Sequence, residues 1–204
     1  YARENQVPFL GICLGMQAAV IEYARNVLGM KNAHSTEMVP DCADPAVIFM
    51  PEGSTTHMGG TMRLGSRRTI FQTQDCKAAK LYNSMPFVDE RHRHRYEVNP
   101  DIVDRLEKAG CVFVGKDETN RRMEILELSG HPFFLATQYH PEYKSRPGRP
   151  SPPFMGLVLA ASGQLDQYLT SEAIGMRVNA PGGFLQSPLK ALKGLAKEDE
   201  PDSP

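Results

Sequence analysis

Cysteine is scarce in this sequence, and the little there is lies scattered. The four residues Cys13, Cys42, Cys76 and Cys111 form no Cys-x-x-Cys pair. Neither a disulfide framework nor a metal site is therefore expected, and a reducing cytoplasm is the default compartment. Long apolar runs are missing as well: none approaches the ~20 residues of a bilayer-spanning helix, so no membrane partner is expected. The opening YARENQVPFLG lacks the charged, apolar, small-residue order of a secretory signal. An excess of one charge is also absent. The formal net charge of the 204 residues is −1, which supplies no field to favour nucleic acid or an anionic surface. Internal repeats are not seen. The remainder, 41% hydrophobic and 23% charged, is the balance of a globular chain with a full core.

Pattern and punctuation give a mixed α/β order. Val7–Ile12 predicts a short buried strand, followed by a helix over LGMQAAVIEYARNVLG that stops near Gly29. Residues 31–58 are loop-rich around one apolar strand at Val47–Met50. TMRLGSRRTIFQT predicts two strands about a Gly-Ser turn, and ERHRHRYEV an extended segment. In NPDIVDRLEKAG, Asn99 caps a helix that Pro100 opens and Gly110 ends. A hairpin at CVFVGKDETNRRMEILEL and a strand within PFFLATQYHPE follow, then a helix from about Pro153 to Tyr168. Beyond residue 171 the apolar pattern decays. The expected organisation is one domain over residues 1–170 and a flexible tail over 171–204.

The chemistry concentrates at PFLGICLGMQ. Gly-x-Cys-x-Gly between a strand and a helix has the form of a nucleophile elbow, in which side chains two positions either side of the nucleophile collide. The helix N-terminus would then face the sulfur and favour thiolate. Alone, the pattern leaves both a nucleophile and a packed cysteine open. Of the six histidines, His140 ends an apolar strand with a carboxylate two residues on, in QYHPE. Residues i and i+2 of an extended chain project to the same side, so Glu142 can orient His140 while Pro141 stiffens the presentation. Nucleophile, base and orienting group together are the parts of an acyl-transfer site. RHRHR divides by strand period: Arg91, Arg93 and Arg95 on one face, His92 and His94 on the other. That division and the net charge argue against nucleic acid as a partner.

G-x-C-x-G-x-Q together with Q-Y-H-P-E resembles the class I glutamine amidotransferases. HSTE, MGGTMRLG, ERHRHRYEVNP and the proline–arginine loop further resemble the glutaminase domain of the CTP synthase family, over residues 1 to about 170. The resemblance implies an open mixed, mostly parallel sheet flanked by helices, entered partway: the family has strands and a glycine-rich loop upstream of the elbow. It implies glutamine hydrolysis through a thioester on Cys13, with His140 and Glu142 completing the triad and the Leu14 N–H in the oxyanion hole. Gln17, Glu37 and Arg95 match positions that contact glutamine. It further implies a synthetase domain on the same polypeptide using ATP with Mg²⁺ and UTP, activation by GTP involving the MGGTMRLG loop and Arg63, and tetramers and filaments. Set against it stand a glutaminase of another synthase, a γ-glutamyl hydrolase, and a scaffold without catalysis.

Overall fold

The computed structural model describes residues 1–50 and 62–179. Strand β1 (Phe9–Ile12) leads into helix α1 (Leu14–Asn26), and the left-handed Gly29 (φ 71°) follows the helix end. The remaining elements are β2 (Ala33–Ser35), β3 (Asp44–Phe49), β4 (Arg63–Phe71), α2 (Lys77–Leu81), β5 (Phe87–His94), β6 (Tyr96–Val98), α3 (Val103–Lys108), β7 (Cys111–Asp117), β8 (Met123–Leu128), β9 (Phe134–Thr137), α4 (Pro152–Ala161), α5 (Leu165–Tyr168) and α6 (Ser171–Asn179). Short 3-10 turns at Pro100–Ile102 and Pro141–Lys144 complete the order.

Two sheets form, in the orders β1-β9-β8-β7-β4-β5 and β2-β3-β6. The mixed sheet flanked by helices is the predicted architecture, but its balance differs. In the larger sheet β1 pairs with β9 in parallel and every other neighbouring pair runs antiparallel. The reason is in part connectivity: β7 to β8 and β8 to β9 return through short loops, which permit antiparallel pairing alone, while β4 joins β5 through a longer connection that contains α2. Period-two alternation then separates two cores. Phe134, Ala136, Leu126 and Phe113 pack with Met16 and Val20 of α1 and Leu106 of α3. Leu135, Ile125 and Val114 point to the other face, with Ala79 and Leu81 of α2, Leu159 of α4 and Leu165 of α5.

Where local signals are strong the elements lie where the sequence puts them. The Asn99 side chain accepts from Asp101 N at 3.0 Å, Pro100 opens the turn and Gly110 follows at φ 101°. The Gly-Ser pair does not turn the chain. β4 runs unbroken with Gly65 at φ 83°, because its register with β5, from Arg63↔His94 to Ile70↔Phe87, passes straight through it. ERHRHRYEV is extended but divides between the two sheets at Arg95. The predicted helix over Pro153–Tyr168 breaks at Gly163 (φ 72°) into α4 and α5.

The expected boundary at residue 170 falls inside packed structure. In α6, Arg177 is buried, donates to the Tyr168 carbonyl at 2.7 Å and to Asn83 Oδ1 at 2.9 Å, and stacks over the Tyr168 ring. A buried cation held by a ring, a carbonyl and an amide oxygen is invisible to a search for apolar periodicity. The rest of the predicted tail, from residue 180, and the first part of MGGTMRLG lie outside the described residues. Among the described residues no helix is long and apolar enough to cross a membrane.

Candidate active site

The elbow begins with a pairing. Parallel alignment of β1 with β9 sets Ile12 opposite Thr137, and the Cys13 N–H continues the ladder to the Thr137 carbonyl at 2.7 Å. The chain then reverses into α1 through Cys13 itself, at φ 53° and ψ −101°. A non-glycine residue adopts that conformation only when its surroundings impose it, at a cost of about 1–3 kcal/mol. Gly11 supplies the room: a Cβ there would lie 2.9 Å from the backbone carbon and oxygen of Gly15. The expected symmetry of the two glycines fails, since a Cβ on Gly15 meets nothing within 4 Å.

His140 enters from the neighbouring strand, three residues past the end of β9. Its backbone N–H donates to the Arg91 carbonyl at 2.8 Å, and its Nδ1 lies 2.7 Å from Glu142 Oε1. The i, i+2 spacing predicts this pair on extended chain. Glu142 instead stands in the 3-10 turn that Pro141 opens, and the turn brings the carboxylate back under the ring. A carboxylate accepts, so Nδ1 carries the proton and Nε2 keeps the basic lone pair. That Nε2 is buried with no hydrogen-bond partner.

Thiol and base share a support. The Cys13 Sγ lies 3.9 Å from the Arg93 carbonyl, and the His140 amide is on Arg91. Carbonyls two residues apart on a strand point the same way, about 7 Å apart. β5 therefore holds both groups by main-chain atoms, while the Arg91 and Arg93 side chains project to solvent and His92 and His94 inward. This is the alternation the sequence predicts for residues 91–94; Arg95, expected on the arginine face, lies past the end of β5 and is half-buried.

The electrostatics run against one expectation. Burial pushes the Cys13 thiol upward, and the charges of Glu142 and Glu37 add to the push. The Leu14 N–H and the Gln138 side chain pull the other way, but less. The N-terminus of α1 therefore moderates the thiol without making it a standing thiolate, and a base must take its proton.

Gln17 is buried, its Nε2 donating to the Tyr96 carbonyl at 2.9 Å and facing Gln138 Oε1 at 3.4 Å. Glu37 lies in the exposed turn after β2, close enough for its charge to act on the Cys13 thiol. Arg95 is half-buried at the junction of β5 and β6, where its carbonyl accepts from Met50 N at 3.0 Å. Cys13, Leu14, Gln17, His140 and Glu142 thus converge on one end of β1 and β9.

Beneath them is a polar network that sequence reasoning missed. Glu124 is buried on β8, 2.8 Å from the Arg63 guanidinium and 2.5 Å from the Thr69 hydroxyl. Burial outweighs both and pushes its carboxyl up to about 7. Arg63 is thus paired inward with Glu124, and the loop before it, through residue 61, lies outside the described residues. His94 Nδ1 donates to the Tyr96 carbonyl at 3.0 Å, so its Nε2 accepts from His92 Nδ1, also at 3.0 Å. Burial holds both rings neutral, His94 down to about 4 and His92 lower still. The inward histidines of RHRHR were the available signal. Gln138 opens QYHPE, and nothing in the local pattern marks it.

A strained cysteine on a strand-to-helix elbow, at the same end of the parallel β1–β9 pair as a histidine oriented by glutamate, has the parts of an acyl-transfer site. The chain belongs to the class-I glutamine amidotransferase family, whose sequence model matches residues 1–160. Within that class it is similar to CTP synthases. It is 58% identical over 169 residues to CTP synthase 2 of Xenopus laevis, covering 83% of this chain and 29% of that protein. It is 60% identical over 169 residues to the CTP synthase of Drosophila melanogaster, covering 83% and 27%. The solved glutaminase domain of Trypanosoma brucei CTPS, with bound acivicin, superposes with a TM-score of 0.75 at 38% identity, covering 80% of this chain and 63% of that one. The chain spans less than a third of the length of these curated relatives.

Proposed function

We propose that this chain is the glutamine-hydrolysing part of a CTP synthase. One observation carries the chemistry: His140 has its Nδ1 on Glu142 and a buried, unpartnered Nε2. Glutamine carries an amide whose nitrogen must leave as ammonia. His140 Nε2 takes the Cys13 proton, and the sulfur attacks the side-chain amide carbon. The oxyanion that forms accepts from the Leu14 N–H, a donor worth roughly 10²–10³ in rate. The imidazolium returns its proton to the departing nitrogen, and ammonia leaves behind a glutamyl thioester. Water, deprotonated by the same Nε2, then expels the sulfur and frees glutamate. Glu142 accepts the Nδ1–H throughout and stabilises each transient imidazolium.

The substrate roles follow from charge. Glu37, exposed at the cleft, suits the α-ammonium, and the Arg95 guanidinium suits the α-carboxylate by a planar, two-point contact. Gln17 reaches the glutamine from the first turn of α1. The ammonia passes to a synthetase domain of the same polypeptide, where UTP activated by ATP with Mg²⁺ becomes CTP. GTP activation and tetramer and filament assembly belong to that whole protein. Cytoplasmic location accords with its chemistry.

The test uses the full-length protein. Cys13→Ala should abolish glutamine-dependent CTP formation and leave formation from added ammonia unchanged, because ammonia bypasses the thioester. Equal loss of both would make the cysteine structural and end the proposal. A protein that hydrolyses glutamine but forms no CTP from ammonia would reassign it to another synthase.

A further inference from the structure

We propose that Gln138 positions the Cys13 sulfur and stabilises it as thiolate, through an amide whose orientation Gln17 and the Tyr96 carbonyl dictate. The inference rests on the glutaminase reading for its purpose, but its geometry stands apart. Gln138 is 1% exposed, its own N–H pinned to the Glu124 carbonyl at 2.9 Å. Its Nε2 lies 3.6 Å from Cys13 Sγ, within reach of an N–H to sulfur contact.

The direction of that amide is determined. A backbone carbonyl can only accept, so the contact at Tyr96 forces Gln17 to present Nε2 there. The second hydrogen of the same Nε2 then points to Gln138, which must answer with Oε1. Reversing the Gln138 amide would set donor against donor at Gln17 and an oxygen against the sulfur. The Tyr96 carbonyl is itself fully used, since its second acceptor site takes the His94 Nδ1–H. Two buried side chains and one backbone carbonyl therefore aim one N–H at the nucleophile.

The groups facing the thiol give that N–H its importance. The Glu142 and Glu37 carboxylates oppose a negative sulfur, and the Arg93 carbonyl can only accept from it. Leu14 N–H and Gln138 Nε2 favour the negative form. During the reaction the Leu14 N–H turns to the oxyanion, which leaves Gln138 as the donor on sulfur when His140 removes the proton. The same donor receives the sulfur when water expels it as thiolate in the second half.

The experiment follows Cys13 alkylation by iodoacetamide against pH in the full-length protein. The Cys13→Ala variant sets the background from the remaining cysteines. Gln138→Leu keeps the bulk and loses the donor. It should raise the apparent pKa of Cys13 by about one unit, making alkylation near neutral pH about tenfold slower. Gln17→Met leaves Gln138 in place but unanchored, and should shift the profile the same way by less. Should Gln138→Leu fail to fold, Gln17→Met carries the test. Unchanged profiles in the folded variants would overturn the proposal and make Gln138 packing alone. Alkylation needs no glutamine, so a protein inactive toward glutamine would sink the glutaminase reading while still reporting on Gln138.

Discussion

Gly11 and Gly15 occupy mirror positions in the motif, and the structure predicts opposite outcomes for adding one methyl group to each. An alanine at Gly11 places its Cβ 2.9 Å from Gly15 C and O and 3.0 Å from Phe9 Cε1. The Phe9 ring can swing aside, but the Gly15 backbone cannot. It lies in the first turn of α1, which Met16 and Val20, both fully buried, anchor in the core. The helix must move by a few tenths of an ångström, and overpacking of this kind costs about 1–3 kcal/mol. At about 2–4 °C per kcal/mol for a domain of this size, the melting temperature should fall by about 2–12 °C. The displaced turn carries Cys13 and Leu14 with it, so glutamine-dependent turnover should drop by about 10²-fold while ammonia-dependent synthesis persists. Gly15→Ala meets open space in ordinary helical backbone. Alanine is there favoured over glycine by about 0.5–1 kcal/mol, a rise of about 1–4 °C. Calorimetry on the full-length variants, with glutaminase and ammonia assays in parallel, decides between these outcomes. Equal losses of melting temperature, or the reverse order, would refute the steric account of the elbow. Lost turnover in Gly15→Ala at unchanged stability would instead place substrate beside that position.

Cys13→Gly should be inactive yet melt higher than Cys13→Ala, because glycine alone adopts φ 53° without strain; equal melting would mean that the elbow stores none. Glu124 gives a pH signature. Its folded carboxyl is raised from 4.5 to about 7 by burial, so the stability its proton confers is full below about 4.5 and lost as pH climbs through 7. Glu124→Gln has no such loss, and its melting temperature relative to the parent should increase between about pH 5 and pH 8. A flat difference over that window would show the carboxylate charged throughout.

The parts of the site readable in sequence are those where one residue type answers a local demand. Cys13 between glycines, His140 with Glu142 two residues on, and Asn99-Pro100 before a helix each carry their own geometry. What escaped reading depends on partners distant in the chain. Gly65 looks like a turn until eight residues of β5 pair across it. Glu124 and Arg63 are surface residues by type, and only the sheet order, with β7 between β8 and β4, turns them on each other. Arg177 is buried because Tyr168 offers both a ring and a carbonyl. Gln138 was in view, but its meaning lies in which way its amide points, and that is settled 42 residues earlier, at Tyr96.

The shared support on β5 has a mechanical consequence. Since Arg91 and Arg93 hold His140 and Cys13 through their carbonyls, the spacing between base and nucleophile inherits the repeat of a peptide strand, among the least compliant lengths in a protein. Sway of β5 carries both groups together, as common-mode motion that cancels in their separation. The tether itself is main-chain, although the Arg91 guanidinium also lies over the Tyr143 ring that packs edge-on against His140. On the outer face of the strand, the exposed Arg93 is therefore the position open to redesign, for solubility or for a new binding partner, while Arg91 is bound to the histidine's surroundings through Tyr143.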